Sequence, residues 1–253
     1  MSSRLQDRVA IVTGGSRGIG AAVCKAFGRE GARVVVNYLH NAELAQQVVD
    51  EINAGTGQAV AVQADVARRE DVNRMVEQAH QAFGPVDIMV CNAVHYPRRA
   101  WHEIDEEEWD RVLAVNLKGA LFCCQAVYPD MRAKAQGAII TVTSVTVELG
   151  WGPFLHYVTS KAGLIGFTRS LAREVGKEGI RVNCVMPGAI RTEQEILDFP
   201  DQASLAEMMA QRQCLARRGL PEDLAGTFVH LASDDAAFIT GQVINVDGGW
   251  VHY

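Results

Sequence analysis

The chain has 253 residues, 48% hydrophobic and 21% charged, with a formal net charge of −6. That apolar content can fill a large core, and the negative balance argues against nucleic acid or an anionic membrane as the main partner. No apolar run reaches 18 residues, and the opening MSSRLQDR lacks the apolar core of a signal peptide, so a cytoplasmic protein is expected.

Apolar, β-branched runs alternate with amphipathic stretches along the whole chain. Strands are predicted at residues 9–13, 33–37, 59–63, 86–91, 138–143, 181–186 and 243–246. Helices are predicted at 18–30, 42–54, 70–83, 106–133, 155–177 and 221–232. The strand segments are apolar on both faces, as in a parallel sheet covered by helices on each side. The alternation predicts an α/β fold, a single Rossmann-type doubly wound domain over 1–253 with about seven parallel strands. Residues 189–218 are far longer than a normal connection. They are expected to form a substrate loop or lid, with a short helix at 204–213.

The first strand runs into T-G-G-S-R-G-I-G, residues 13–20. Gly14, Gly18 and Gly20 let the backbone turn tightly and approach a pyrophosphate, and the helix that follows supplies free N–H groups. Ser16, Arg17 and Ile19 complete this cofactor-binding segment. An NAD site places a carboxylate near the end of the second strand. Residues 34–41 read VVVNYLHN, with Asn37 at the strand end and no acid. Arg17 in the glycine loop can face a 2′-phosphate, so NADP(H) is expected over NAD(H).

In open parallel sheets the ligand lies beyond the carboxyl ends of the strands. Those ends carry Asp65 and Val66, Asn92 and Ala93, Ser144, and then Pro187, Gly188, Ile190 and Thr192. Asp65 reads equally well as an adenine contact or as a cap for the following helix.

Tyr157 and Lys161 stand i, i+4 apart near the start of a predicted helix, so they share one face. A free tyrosine has a pKa near ~10, and lowering it by about three units takes roughly 4 kcal/mol. A neighbouring ammonium and a cationic nicotinamide ring are expected to supply that. Lys161 can also reach the nicotinamide ribose. Ser144 can hydrogen-bond a substrate carbonyl where negative charge develops. Asn116 interrupts the apolar stripe Trp109, Val112, Leu113, Leu117, Ala120, Leu121. A buried amide needs partners: it either holds a water beside Lys161 or is satisfied by backbone at a helix bend.

The substrate pocket is expected between Ser144, Tyr157 and the long loop, with His95, Val145, Glu148, Trp151 and Phe154 as walls and Tyr96, Leu149 and Ile190 beside them. Such an aromatic, apolar lining suits a ring or medium-sized ketone. The six cysteines show no metal-ligand spacing and mostly lie in apolar runs, so reduced, buried thiols and no metal are expected.

These motifs together resemble the short-chain dehydrogenase/reductase family, including its 3-oxoacyl-acyl-carrier-protein reductase-like members. The residues that carry the resemblance are 13–20, Asn92-Ala93, Asn116, Ser144, Y-V-T-S-K at 157–161, Pro187-Gly188 and V-D-G-G at 246–249. The resemblance implies hydride transfer at nicotinamide C4 between a ketone and a secondary alcohol. Tyr157 is then the general acid/base, Lys161 its electrostatic partner, Ser144 the substrate orienter and Asn116 the relay support. It also implies a homotetramer in which the helices at 106–133 and 155–177 pack across one interface.

The chain departs from the family at Cys91-Asn92-Ala93-Val94, where the usual motif ends in glycine. Relatives acting on an acidic carrier protein tend to carry a basic residue just before the glycine that closes the long active-site helix. Here Lys177 is followed by Glu178. A free small-molecule carbonyl is therefore favoured over a carrier-bound acyl group. A non-catalytic, cofactor-binding redox sensor is the alternative from another class, and the intact Asn116, Ser144, Tyr157, Lys161 set argues against it.

Overall fold

A computed structural model describes residues 3–252. Seven strands form its centre: β1 (Val9–Val12), β2 (Arg33–Tyr38), β3 (Gln58–Gln63), β4 (Ile88–Cys91), β5 (Gly137–Val142), β6 (Ile180–Pro187) and β7 (Val243–Val246). All pair in parallel, in the order β3-β2-β1-β4-β5-β6-β7. Strands β1, β4 and β5 are buried along their whole length, which is why they read as unbroken apolar runs rather than as alternating ones. Val9 faces Arg33 on one side of β1, and Ala10 faces Ile88 on the other. Strand order reverses between β1 and β4, so neighbouring crossovers diverge there and open a crevice at the carboxyl ends.

On one face of the sheet lie α1 (Gly18–Arg29), α2 (Ala42–Asn53) and α10 (Pro221–Ala232), whose Val23, Phe27, Val49 and Phe228 join the strands in one core. On the other lie α3 (Arg69–Phe83), α4 (Glu106–Leu113), α5 (Gly119–Lys134) and α7 (Leu155–Val175), which bury Met75, Cys123, Met131 and Leu164 in a second. Short helices α6 (Thr146–Leu149), α8 (Glu193–Asp198) and α9 (Gln202–Arg212) rim the crevice. Cys24, Cys91, Cys123, Cys124 and Cys184 are buried free thiols, and Cys214 is exposed.

The structure corrects several expectations. The helix predicted at 106–133 is divided by a π turn at Ala114–Lys118. A π turn inserts one residue and rotates everything downstream by about 100°. Of the predicted apolar stripe, Leu121 is 39% exposed, while Val115, Cys123 and Cys124 face the core. The stretch Glu106–Lys134 is long and apolar enough in composition to cross a bilayer. Here that hydropathy is used against the sheet, in the second core.

Residues 189–218 hold two helices where one was predicted, at 204–213. Thr192 Oγ1 accepts from Glu195 N and starts α8; Asp201 Oδ1 accepts from Ser204 N and starts α9. An isolated bridge between Ile190 and Gly219 closes the base of this excursion. The long active-site helix ends at Val175, two residues early, where 176–178 tighten into a 3₁₀ turn that closes on Gly179 at φ 77°.

Candidate active site

The crevice beyond the carboxyl ends encloses about 1230 Å³. All the residues expected to bind cofactor line it: Gly14, Ser16, Arg17, Gly18, Ile19, Gly20, Asn37, Asp65, Val66, Asn92, Ala93, Tyr157, Lys161, Pro187, Gly188, Ile190 and Thr192. Of the expected catalytic residues, Ser144, Tyr157 and Lys161 line it and Asn116 lies behind the wall.

The glycine turn is shaped by contact. A Cβ on Gly20 would stand 2.1 Å from the Gly14 carbonyl oxygen, so the turn closes only without a side chain there. Gly18 has φ 53° and opens α1, with no side-chain cap from Arg17 and no acid in the first turn. Such a helix start leaves N–H groups available to an anion. The close-packed turn, a helix start with no cap from Arg17 and the long crevice together fit a dinucleotide.

Several of these crevice-lining residues also hold the turn together. Asn92 Nδ2 donates to the carbonyls of Thr13 (2.9 Å) and Gly14 (3.1 Å), and its amide N donates to Thr13 Oγ1 (2.9 Å). Asn37 is buried; its Oδ1 accepts from Gly14 N (3.2 Å) and its Nδ2 donates to the carbonyls of Val62 and Ala64. Its amide is therefore spent on scaffolding, and Tyr38, Leu39, His40 and Asn41 form the crevice wall beyond it. Asp65 lines the crevice and does not cap α3, whose N-cap is Arg68: its Oδ1 accepts from Ala67 N (2.9 Å) in the turn before that helix, while Oδ2 pairs with Arg111 (2.9 Å). Val94 keeps a negative φ; the positive-φ residues other than glycine among those described are Asp7 and Ala135.

Tyr157 reaches the cavity from the first turn of α7. Its ring lies 5.8 Å from that of Tyr96 and 6.0 Å from that of Phe154. Lys161, one turn on, is buried and its Nζ donates to the Val142 carbonyl at 2.6 Å. The ammonium stands 5.7 Å from the Tyr157 ring centroid. Burial lowers its pKa to about 8. Burial raises the Tyr157 phenol, and the Ser144 hydroxyl pulls it back down. The expected depression of the phenol is thus not a property of the protein alone: desolvation dominates, and Lys161 is bonded to a carbonyl. Ser144 Oγ accepts from both Thr146 N (3.2 Å) and Thr146 Oγ1 (3.0 Å). Those two donors take up the oxygen's lone pairs, and the serine's own hydrogen serves the Tyr157 phenol.

Asn116 lies in the π turn and is satisfied by backbone at a helix bend. Its Oδ1 accepts from His95 N (2.8 Å), and its Nδ2 donates to His95 O (2.9 Å) and to Ser160 Oγ (2.9 Å). The side chain fixes the loop after β4 and ties it to α7 through Ser160.

A second support was not foreseen. The Tyr157 amide, an orphan donor of the first turn, donates to His156 Nδ1 (3.0 Å). The other ring nitrogen, Nε2, therefore carries the hydrogen, and it lies 3.2 Å from Glu108 Oε1. Arg99 completes the chain with two bonds to the same carboxylate and, with His156, holds Glu108 below its ordinary pKa.

On the substrate side His95, Val145, Trp151 and Phe154 line the cavity together with Tyr96 and Ile190. Glu148 and Leu149 do not; they are exposed on α6, whose short turn carries them away from the opening. Desolvation, then the charge of Arg111, hold the His95 imidazole below its ordinary pKa. Residues absent from the sequence reading complete the wall: Arg98, Asp198, Phe199, Met209 and Trp250. The Arg98 guanidinium stacks 4.6 Å from Phe199 of the excursion and 5.7 Å from Phe154, and Trp250 meets Trp151 edge-on at 5.7 Å.

Residues 14–251 match the family described as enoyl-(acyl carrier protein) reductase. The chain is 41% identical to a probable galactose dehydrogenase of Rhizobium meliloti, over 97% of this chain and 95% of that one. It is 42% identical to a 3-oxoacyl-acyl-carrier-protein reductase of Staphylococcus aureus, over 95% and 96%. The crystal structure of a short-chain type dehydrogenase/reductase from Mycobacterium marinum is 34% identical, with a TM-score of 0.91 over 100% of this chain and 98% of that one.

Proposed function

The chain belongs to the short-chain dehydrogenase/reductase family, and from that premise we propose that it interconverts a ketone and a secondary alcohol, with Tyr157 as general acid/base. The observation that supports this most strongly is that Tyr157, Ser144 and Lys161 meet on one cavity wall, beside a glycine turn able to cradle a pyrophosphate. The nicotinamide dinucleotide, when bound, supplies or accepts the hydride.

The chain's own residues handle the proton. Ser144 turns its hydrogen from the phenol to the substrate oxygen and holds that oxygen beside Tyr157. In reduction the Tyr157 hydroxyl protonates that oxygen as charge develops; in oxidation the phenolate takes the proton back. A phenol raised by burial enters reduction in its protonated form. Lys161, fixed by the Val142 carbonyl, places positive charge near the phenolate that remains. Asn116 and His156 hold the β4 loop and the first turn of α7 in place.

NADP(H) is the preferred cofactor in this reading, supported by Arg17 at the crevice edge and by the lack of an acid in 34–41. A free small molecule is the preferred substrate. The cavity wall carries the carboxylates of Glu193, Glu195, Asp198 and Asp201 beside the guanidinium groups of Arg17, Arg98 and Arg111, a mixed rim that does not attract a strongly acidic carrier protein. The kinship with the Staphylococcus aureus reductase favours the second reading, a carrier-bound 3-oxoacyl substrate. The family reading also carries a homotetramer in the cytoplasm, to which the exposed Leu121 of α5 and Leu155 of α7 lend apolar surface.

NADPH and NADH absorbance followed over a panel of free ketones, secondary alcohols and sugars tests the proposal, with a carrier-bound 3-oxoacyl group in parallel. Turnover of a free compound with NADPH is expected. Activity on the carrier-bound substrate alone would replace the substrate assignment.

A further inference from the structure

The excursion after β6 reaches across the crevice and touches the glycine turn at one polar point. Glu193, the first residue of α8, places Oε2 3.1 Å from the amide nitrogen of Gly18, which donates to it. The neighbouring Thr192 lies on the same spot, with Cγ2 3.2 Å from where a Cβ on Gly18 would be. A carboxylate thus occupies an N–H at the start of α1, where the pyrophosphate of a dinucleotide is expected to bind. The rest of the excursion is held elsewhere: Glu195 is paired with Arg218 at its base, and Arg98 stacks on Phe199 at its far end. Glu193 itself is exposed and forms no ion pair among the described residues, so leaving the contact costs it little desolvation.

We propose that Glu193 is a dinucleotide-exchange latch. Its carboxylate holds the Gly18 N–H and keeps α8 against the glycine turn while no dinucleotide is bound. The incoming pyrophosphate needs the N–H groups of that turn and repels a carboxylate at the same point. It displaces Glu193 and frees α8 from the turn. Every dinucleotide therefore binds against this competitor, and every departing one is replaced by it. Glu193 is a positioning residue, with no contact to the reacting atoms. The inference rests on the reading that the crevice binds a nicotinamide dinucleotide.

The test compares the full chain with E193Q and E193A. NADPH is titrated by fluorescence, and hydrogen exchange is followed over residues 190–198 without dinucleotide and with inorganic pyrophosphate alone. E193A is expected to bind NADPH roughly fivefold more tightly, the scale of one exposed charge-assisted hydrogen bond, and E193Q to shift in the same direction. Amides of 190–198 are expected to exchange faster in dinucleotide-free E193A, and faster in the unaltered chain once pyrophosphate is added. A carboxylate that only steadies α1 would leave NADPH binding unchanged or weaker in both variants, and that result overturns the latch, as does unaltered exchange over 190–198. If the unaltered chain binds neither NADPH nor NADH, the dinucleotide reading itself fails, which the exchange data on the free protein distinguish from failure of the latch.

Discussion

Lys161 Nζ and the carbonyl oxygen of Val142 are hydrogen-bonded at 2.6 Å, inside the wall that carries Tyr157. The bond ties the ammonium to the end of β5, in a position set by the sheet and not by Tyr157. It does not offset the desolvation, which lowers the Lys161 pKa from 10.5 to about 8.

That cost has a sign. Above pH ~8 the folded chain has released this proton, while the unfolded chain holds it up to ~10.4. The unfolded state then binds more protons, so this group's contribution makes stability rise with pH across that interval. Below pH ~8 the buried ammonium lowers stability. Lys161→Met is expected to stabilise the fold near pH 7 by roughly 1–3 kcal/mol, less whatever the orphaned Val142 carbonyl costs. It should also flatten the rise between pH 8 and 10.5 and abolish turnover. Thermal unfolding across pH checks this; a lower melting temperature for the variant at pH 7 would contradict it.

Asn116 makes three hydrogen bonds in a buried setting, two of them to the His95 peptide. Asn116→Ala leaves those groups unpaired and is expected to cost about 2–4 kcal/mol. Urea unfolding measures it. The loop after β4 should show faster hydrogen exchange, and kcat should fall more than KM rises.

Arg17 is exposed at the edge of the crevice, beside the acid-free end of β2. Arg17→Ser is expected to weaken NADPH binding about tenfold and to leave NADH binding unchanged, since only the former carries a 2′-phosphate for the guanidinium to meet. Equal losses for both cofactors would remove Arg17 as the discriminating residue.

Much of this was legible in the sequence. Strands such as Val34–Val36 announce themselves as apolar on both faces, and their alternation with helices leads directly to the sheet. The glycine turn and the Tyr157/Lys161 spacing are local patterns, so they survive in one dimension. The misses are tertiary. Nothing in the spelling of Ala114–Lys118 announces a π turn, and Leu121 beyond it lies at the surface. Asn37 and Asn92 line the crevice as their strand ends suggest, but that their amides also bond the glycine turn is a long-range contact that local sequence does not carry. Glu148 lies between Ser144 and Tyr157 in the chain, but the four-residue α6 turns it outward. The cavity wall from Arg98, Phe199 and Trp250 comes from three distant segments, which no periodicity connects.

The central claim is that one phenol moves the proton, and Tyr157→Phe tests it most directly. Removing a single oxygen leaves the ring contacts to Tyr96 and Phe154 in place. The account predicts that kcat falls by roughly 10²–10⁴-fold, while the NADPH dissociation constant changes by less than about twofold and the melting temperature is kept. Turnover near that of the unaltered chain, with NADPH still bound, would contradict it.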